Sequence, residues 1–305
     1  MKGPFHIFGG RCTSLEYGIF PPRSYTLANR PYLTLPPEQT PTSSHDNNDD
    51  NDDAVSDMDR LSLGLGFDDV HVLITGGGGL IGRVVVDCFL AAGARVSSLD
   101  IIYPTSPDSE ADPTRPALTV IHCDVSNEDS VRSAFATAIK VHGPVDICIA
   151  LASLDLSVLQ PSAFADASFS QLQRVLNINV AGTWLTAREW IRGLQQAKVE
   201  GLELRHPNLI IIGSESGHFG EKQNVEYSLS KSAVQGGLLM SLRAEVPRVW
   251  PGARVNVVAP GPVETDRWHV ECQANPDQYY LEAQATVITL SLRISCVTIA
   301  PCFHI

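Results

Sequence analysis

Basic residues are scarce in this chain, with 22 lysines and arginines against 34 aspartates and glutamates in 305 residues and a net charge of −12. No basic stripe of the kind that grips a phosphate backbone is present, so nucleic acid is not an expected partner. Long apolar runs are missing as well. None reaches the ~18 to 20 residues that a membrane span needs, which excludes a membrane-spanning helix and predicts a soluble, cytoplasmic protein with no membrane partner. The 7 cysteines (Cys12, Cys88, Cys123, Cys148, Cys272, Cys296 and Cys302) include no C-x-x-C pair and sit beside no histidine cluster. Buried or free thiols in a reducing compartment are therefore expected rather than a zinc centre or disulfide frame, and no metal is expected. There is no internal repeat. Apolar residues at 44% and charged residues at 18% leave an ordinary globular composition, neither collagen-like nor coiled-coil.

The negative charge is concentrated. Seven aspartates fall between His45 and Asp59 with no basic residue among them, and without them the net charge is −5. Residues 1–66 are rich in Pro, Ser, Asn and Asp and read as a disordered acidic tail that cannot bury enough apolar surface to offset its chain entropy. Its first 35 residues carry Lys2, Arg11, Arg23 and Arg30 against Glu16. That bias suggests a targeting leader, but the prolines interrupt any long amphipathic helix. From residue 67 the pattern changes. Val70–Ile74, Arg95–Leu99, Leu118–His122, Val145–Ala150, Asn208–Gly213 and Arg254–Val258 read as buried strands. Leu80–Gly93, Ser126–His142, Phe169–Gln196 and Glu226–Arg248 read as helices. This alternation predicts an α/β fold, a doubly wound parallel sheet of Rossmann type, in a single domain over residues 67–286.

Thr75–Gly82 reads TGGGGLIG, directly after the first strand and opening the first helix. Gly76, Gly79 and Gly82 are spaced for a tight turn, a close backbone approach to a pyrophosphate and close packing of helix on strand. The second strand ends in Asp100, whose carboxylate can accept from both ribose hydroxyls of an adenosine and would repel a 2′-phosphate. With no Arg or Lys inside the turn, NAD is expected over NADP. Asp124, in HCDV after the third strand, reads as an adenine-side contact; a helix N-cap role for Ser126 is the plainer local reading.

Tyr227 and Lys231 lie in YSLSK, four residues apart on one helix face. Ser214 stands 13 residues before Tyr227, at the carboxyl end of NLIIIG, where ligands bind in open α/β sheets. A phenol is a poor base until its anion is stabilised, and Lys231 offers a positive charge for that.

With these residues the sequence resembles the short-chain dehydrogenase/reductase family over about residues 70 to 270. The resemblance implies that Tyr227 is the catalytic acid/base. Lys231 would lower its pKa and hold the nicotinamide ribose, Ser214 would orient the substrate oxygen, and Asn179 in NINVAG would anchor a water in a proton relay. Ser216 competes with Ser214 at a spacing that fits less well. RVNVVAPGPVET resembles the family's Pro-Gly motif, placing Pro260 and Gly261 beside the nicotinamide and Val263 and Thr265 near its carboxamide. The expected cofactor contacts also take in Thr75, Leu80, Ile81, Val125, Ala150 and Ala152.

Two stretches depart from the family's pattern. Ala150, Leu151, Ala152 and Ser153 stand where the compact branch has Asn-Asn-Ala-Gly, which removes polar support from the central strand, and the glycine spacing looks like that of the extended branch. The chain then closes on VITLSLRISCVTIAPCFHI (residues 287–305), an atypical, almost uncharged segment. It reads either as a truncated ending or as Val287–Thr298 folding back to form an edge strand.

The expected function is an NAD-dependent oxidoreductase interconverting a secondary alcohol and a ketone, acting as a homodimer through the two long helices if the C-terminus permits folding. The alternatives are a catalytically impaired truncated form, a cofactor-sensing regulatory protein on the same fold, or a sugar-nucleotide epimerase, for which too few C-terminal residues remain.

Overall fold

The computed structural model describes residues 65–105, 115–261 and a few positions between 263 and 295. All but the last two residues of the acidic tail, Thr265 and nearly all of residues 287–305 lie outside the described residues.

Six parallel strands form one sheet in the order β3-β2-β1-β4-β5-β6. They are β1 (His71–Thr75), β2 (Arg95–Asp100), β3 (Leu118–His122), β4 (Ile147–Ala150), β5 (Asn208–Ile212) and β6 (Arg254–Val258). HVLIT, ICIA and NLIII are buried at every position, because helices cover both faces of the sheet and leave no side of a central strand in water. Successive residues serve opposite faces. Leu73, Leu99, Cys148, Leu209 and Ile211 pack with Phe135, Trp190 and Leu194, whereas Val72, Ile74, Val96 and Ile149 pack with Val85, Val86 and Phe89. The order reverses between β1 and β4, and in such sheets a crevice opens there at the carboxyl ends of the strands.

The helices are α1 (Leu80–Ala91), α2 (Glu128–His142), α3 (Phe169–Val175), α4 (Thr183–Val199), α5 (Ser216–Phe219), α6 (Val225–Ser232) and α7 (Leu239–Val249). Ser126 does not cap α2: its amide and hydroxyl are both taken by Asp124 Oδ1, at 2.9 and 2.7 Å. Asn127 has the extended backbone of a cap and accepts from the Ser130 amide. Glu128 and Asp129 in the first turn and Lys140 in the last complement the helix dipole.

Each of the two long helices expected from the sequence is interrupted by a π segment. Leu176–Gly182 joins α3 to α4, and Ala233–Leu238 joins α6 to α7. A π turn holds an extra residue, so side chains beyond it rotate relative to those before it, and such bulges recur at functional sites. Beyond β6, β7 (Val263–Glu264) pairs in parallel with β8 (Ile294–Ser295) in a separate two-stranded sheet. Among the described residues no helix is long and apolar enough to cross a membrane.

Candidate active site

The glycine turn leaves β1 at its carboxyl end. Gly76 takes φ +73° and donates to Leu99 O at 2.7 Å, and an added Cβ there would lie 2.8 Å from the Ala152 backbone. Gly82 has no room for a side chain either, since its Cβ would run into the Gly76 carbonyl. α1 starts behind Gly79 with no side-chain cap, so its first amides remain available to an anion. Leu80 is exposed, and Ile81 packs against the core. Asp100 closes the turn from β2: its Oδ2 accepts from Gly78 N at 2.9 Å and its Oδ1 from Ile102 N at 3.1 Å. A cradle that backbone alone can fill, open helix amides and a carboxylate one strand away together fit the pyrophosphate and adenosine ribose of a dinucleotide.

The central strand has polar support in place of the expected asparagines. Thr75 Oγ1 accepts from the amides of Leu151 and Ala152 at 3.2 and 3.3 Å, and Ala150 pairs with Thr75 in register. Val125 packs against Gly182, where a Cβ would lie 2.8 Å from its Cγ2. With its carboxylate turned onto Ser126, Asp124 lies at the start of the α2 turn. Pro260 O accepts from Glu215 N at 2.9 Å, and Gly261 faces Glu215 closely enough that a Cβ would be 2.9 Å from its Oε2. Val263 packs against the sheet's core.

At the chemical end, β5 and α6 bring Ser214, Tyr227 and Lys231 together. The hydroxyl of Ser214 lies close enough to the Tyr227 phenol to favour its anion, and it accepts from Ser216 N at 3.2 Å. Ser216 itself is turned away, donating to Glu221 Oε2 at 2.7 Å. Lys231 Nζ lies 5.7 Å from the centre of the Tyr227 ring and donates to Ile212 O at 3.0 Å. Asn179 sits inside the first π segment and is buried. Its side chain accepts from Leu154 N at 2.8 Å and donates to Leu154 O and Ser230 Oγ at 3.1 and 3.2 Å, while its carbonyl accepts from Thr183 Oγ1 at 2.7 Å.

Burial pushes the Tyr227 phenol up to about 12. The Ser214 hydroxyl opposes this, and the nearby carboxylates of Asp155 and Glu221 add to it. Burial pulls the Lys231 ammonium down to about 8, against the attraction of Asp155.

Several residues at the site lie outside the motifs. Arg83 Nε donates to Gly78 O at 2.8 Å and so buttresses the turn; its place directly after Gly82 was the available signal. Asp155 and Glu221 act on the phenol through charge, and Gln235 Oε1 accepts from Ser214 N at 2.9 Å. None of these three belongs to a motif.

Comparison with known proteins places this geometry among relatives. The family model described as short chain dehydrogenase matches residues 70–275. The chain is 30% identical over 207 residues to an uncharacterized oxidoreductase of Schizosaccharomyces pombe, covering 68% of this chain and 72% of that protein. It is 27% identical over 217 residues to the L-fucose dehydrogenase of Bos taurus, covering 71% and 74%. Among solved structures, ElxO with NADP bound shares the fold with a TM-score of 0.64 at 20% identity, covering 77% of this chain and 90% of that one.

Proposed function

The chain belongs to the short-chain dehydrogenase/reductase family, and from that premise we propose that it interconverts a secondary alcohol and a ketone using NAD. The observation that carries this reading is the buried cluster of Ser214, Tyr227 and Lys231, with Lys231 Nζ 5.7 Å from the centre of the Tyr227 ring, at the sheet edge that also holds the glycine turn.

When bound, a nicotinamide dinucleotide supplies the hydride acceptor for alcohol oxidation or the donor for ketone reduction. Gly76 to Gly82 and the first amides of α1 would hold its pyrophosphate, and Asp100 its adenosine ribose. In oxidation, Ser214 Oγ holds the substrate oxygen and Tyr227 Oη takes the hydroxyl proton as the carbinol C–H bond gives up its hydride. In reduction, Tyr227 returns that proton to the carbonyl oxygen. A phenol near 12 must be lowered to act as a base close to neutrality; Lys231, charged below about 8, stands over its ring to stabilise the anion. Asn179, buried inside the π segment, takes in this reading the water-anchoring part that the resemblance implies.

NAD is preferred in this reading on account of Asp100, although ElxO carries NADP. Exposed Phe169, Trp184, Leu229 and Met240 on the long helices support a homodimer through those helices, and the thiols of Cys88, Cys123 and Cys148, free among the described residues, suit the cytoplasm. The test is a screen of alcohols and sugars for NADH absorbance with the purified protein. Turnover of a secondary alcohol supports the reading; NADH binding with no turnover of any alcohol or ketone replaces it with the regulatory alternative.

A further inference from the structure

One buried side chain that no motif singles out bears directly on Ser214. Gln235 lies in the π segment Ala233–Leu238, following Tyr227 and Lys231 along the same helix, and is buried. Its Oε1 accepts from Ser214 N at 2.9 Å. The strand pairing explains why an acceptor is needed there. The last paired residues of β5 and β6 are Ile212 and Val258, and Gly213 N still reaches Val258 O at 2.8 Å. Ser214 is the first residue beyond the ladder, and its buried amide would have no strand carbonyl to bond.

Two glycines make space for the glutamine. A Cβ on Gly213 would collide with its Oε1, and one on Gly217 would lie 2.6 Å from its Nε2. Filling that space does not in itself call for an amide. Nε2 is buried without a hydrogen-bond partner, a cost that a methionine of similar shape would not carry. What the amide supplies beyond packing is the Ser214 contact. Neighbouring side chains fasten the same segment: Lys231 Nζ to Ile212 O at 3.0 Å and Ser232 Oγ to Gly217 O at 2.5 Å. Of these, Gln235 alone engages the backbone of Ser214 itself.

We propose that Gln235 is a positioning residue which, by holding the Ser214 amide, aims the Ser214 hydroxyl at Tyr227 and at the oxygen of an alcohol or ketone substrate. This rests on the oxidoreductase reading. The residue touches neither substrate nor cofactor, so its effect passes through Ser214.

The test combines a substrate-free readout with a kinetic cycle. Amide hydrogen exchange at Ser214 is measured in the full chain for wild type, Gln235→Met and Gln235→Glu. Protection is expected in wild type and in Gln235→Glu, which keeps an acceptor, and its loss is expected in Gln235→Met. On a verified substrate, Gln235→Met is expected to lower kcat about tenfold to a hundredfold, the scale of a small misalignment at a reacting centre, with NADH affinity unchanged and Gln235→Glu restoring much of the rate. In a Ser214→Ala background, Gln235→Met should lower kcat no further. Equal losses in both backgrounds, or a wild-type kcat in Gln235→Met, would overturn the proposal. If Gln235→Met does not fold, Gln235→Asn, one methylene too short to reach, takes its place with the same expectations; failure of both to fold would show that the residue holds the fold rather than the serine. The exchange result needs no substrate. Lost protection in Gln235→Met with no turnover by wild type would therefore retire the oxidoreductase reading while leaving the Gln235–Ser214 clamp established.

Discussion

Lys231 donates from its ammonium to the carbonyl oxygen of Ile212 at 3.0 Å, which ties the helix carrying Tyr227 to the strand that ends just before Ser214. The bond lets one residue serve two ends of the chemistry: it fixes the distance between two elements and keeps a charge next to the phenol. Replacing it by methionine removes both. We expect Lys231→Met to lower turnover by about two to four orders of magnitude and to weaken NADH binding as well. Fluorescence titration of NADH beside steady-state kinetics checks this, and an unchanged NADH affinity would confine Lys231 to proton chemistry.

The adenosine end gives a prediction that is independent of substrate. Asp100 Oδ2 is anchored by Gly78 N and Oδ1 by Ile102 N, which aims the carboxylate across the glycine turn. The nearby Arg83 is engaged through Nε with Gly78 O. Wild type should bind NADH more tightly than NADPH, and Asp100→Ala should narrow that ratio by about tenfold or more, through loss of the ribose acceptor and of the repulsion of a 2′-phosphate. Binding titrations with both cofactors decide it. A wild-type preference for NADPH would refute the part given to Asp100.

Stability should fall on the acid side because of His71. This residue of β1 is fully buried, with Nδ1 on Gly143 O and Nε2 on Ser97 Oγ at 2.8 and 2.9 Å, and burial pulls its pKa from 6.5 to about 4. The folded chain therefore favours neutral imidazole. Its contribution is fully present above 6.5, is lost as the pH falls from 6.5 towards 4, and changes no further below that. The loss amounts to about 3 kcal/mol at 1.36 kcal/mol per pKa unit. Denaturant unfolding at a series of pH values should show this slope, and His71→Gln should flatten it. His142, also lowered by burial, adds in the same direction and would keep the variant's slope from vanishing.

Much of the frame was legible because the chain writes it locally. Leu118–His122 and Arg254–Val258 form strands over the residues expected, since continuous apolar or β-branched runs between polar turns have few other ways to be buried. The glycine turn and the Tyr227, Lys231 and Ser214 spacing were legible for a similar reason, each being a short pattern with one geometric use. The π segments were not. An i→i+5 turn has no sequence period of its own, and LNINVAG reads as ordinary helix until the packing around Asn179 and Gly182 is known. Asn127 displaced Ser126 as the cap of α2 because Asp124 claims Ser126 first, a competition between neighbours that cap preferences do not rank. The direction of the Tyr227 shift was hidden too, since burial and the carboxylates of Asp155 and Glu221 exist only once the chain is folded.

In the proposed chemistry Tyr227 is the group that moves the proton. The decisive measurement is kcat for Tyr227→Phe on a substrate verified with wild type, taken together with NADH affinity. Phenylalanine keeps the ring and its packing and removes only the hydroxyl. We expect kcat to fall by about two to four orders of magnitude with NADH affinity nearly unchanged; a variant that turns over at the wild-type rate would rule Tyr227 out as that group.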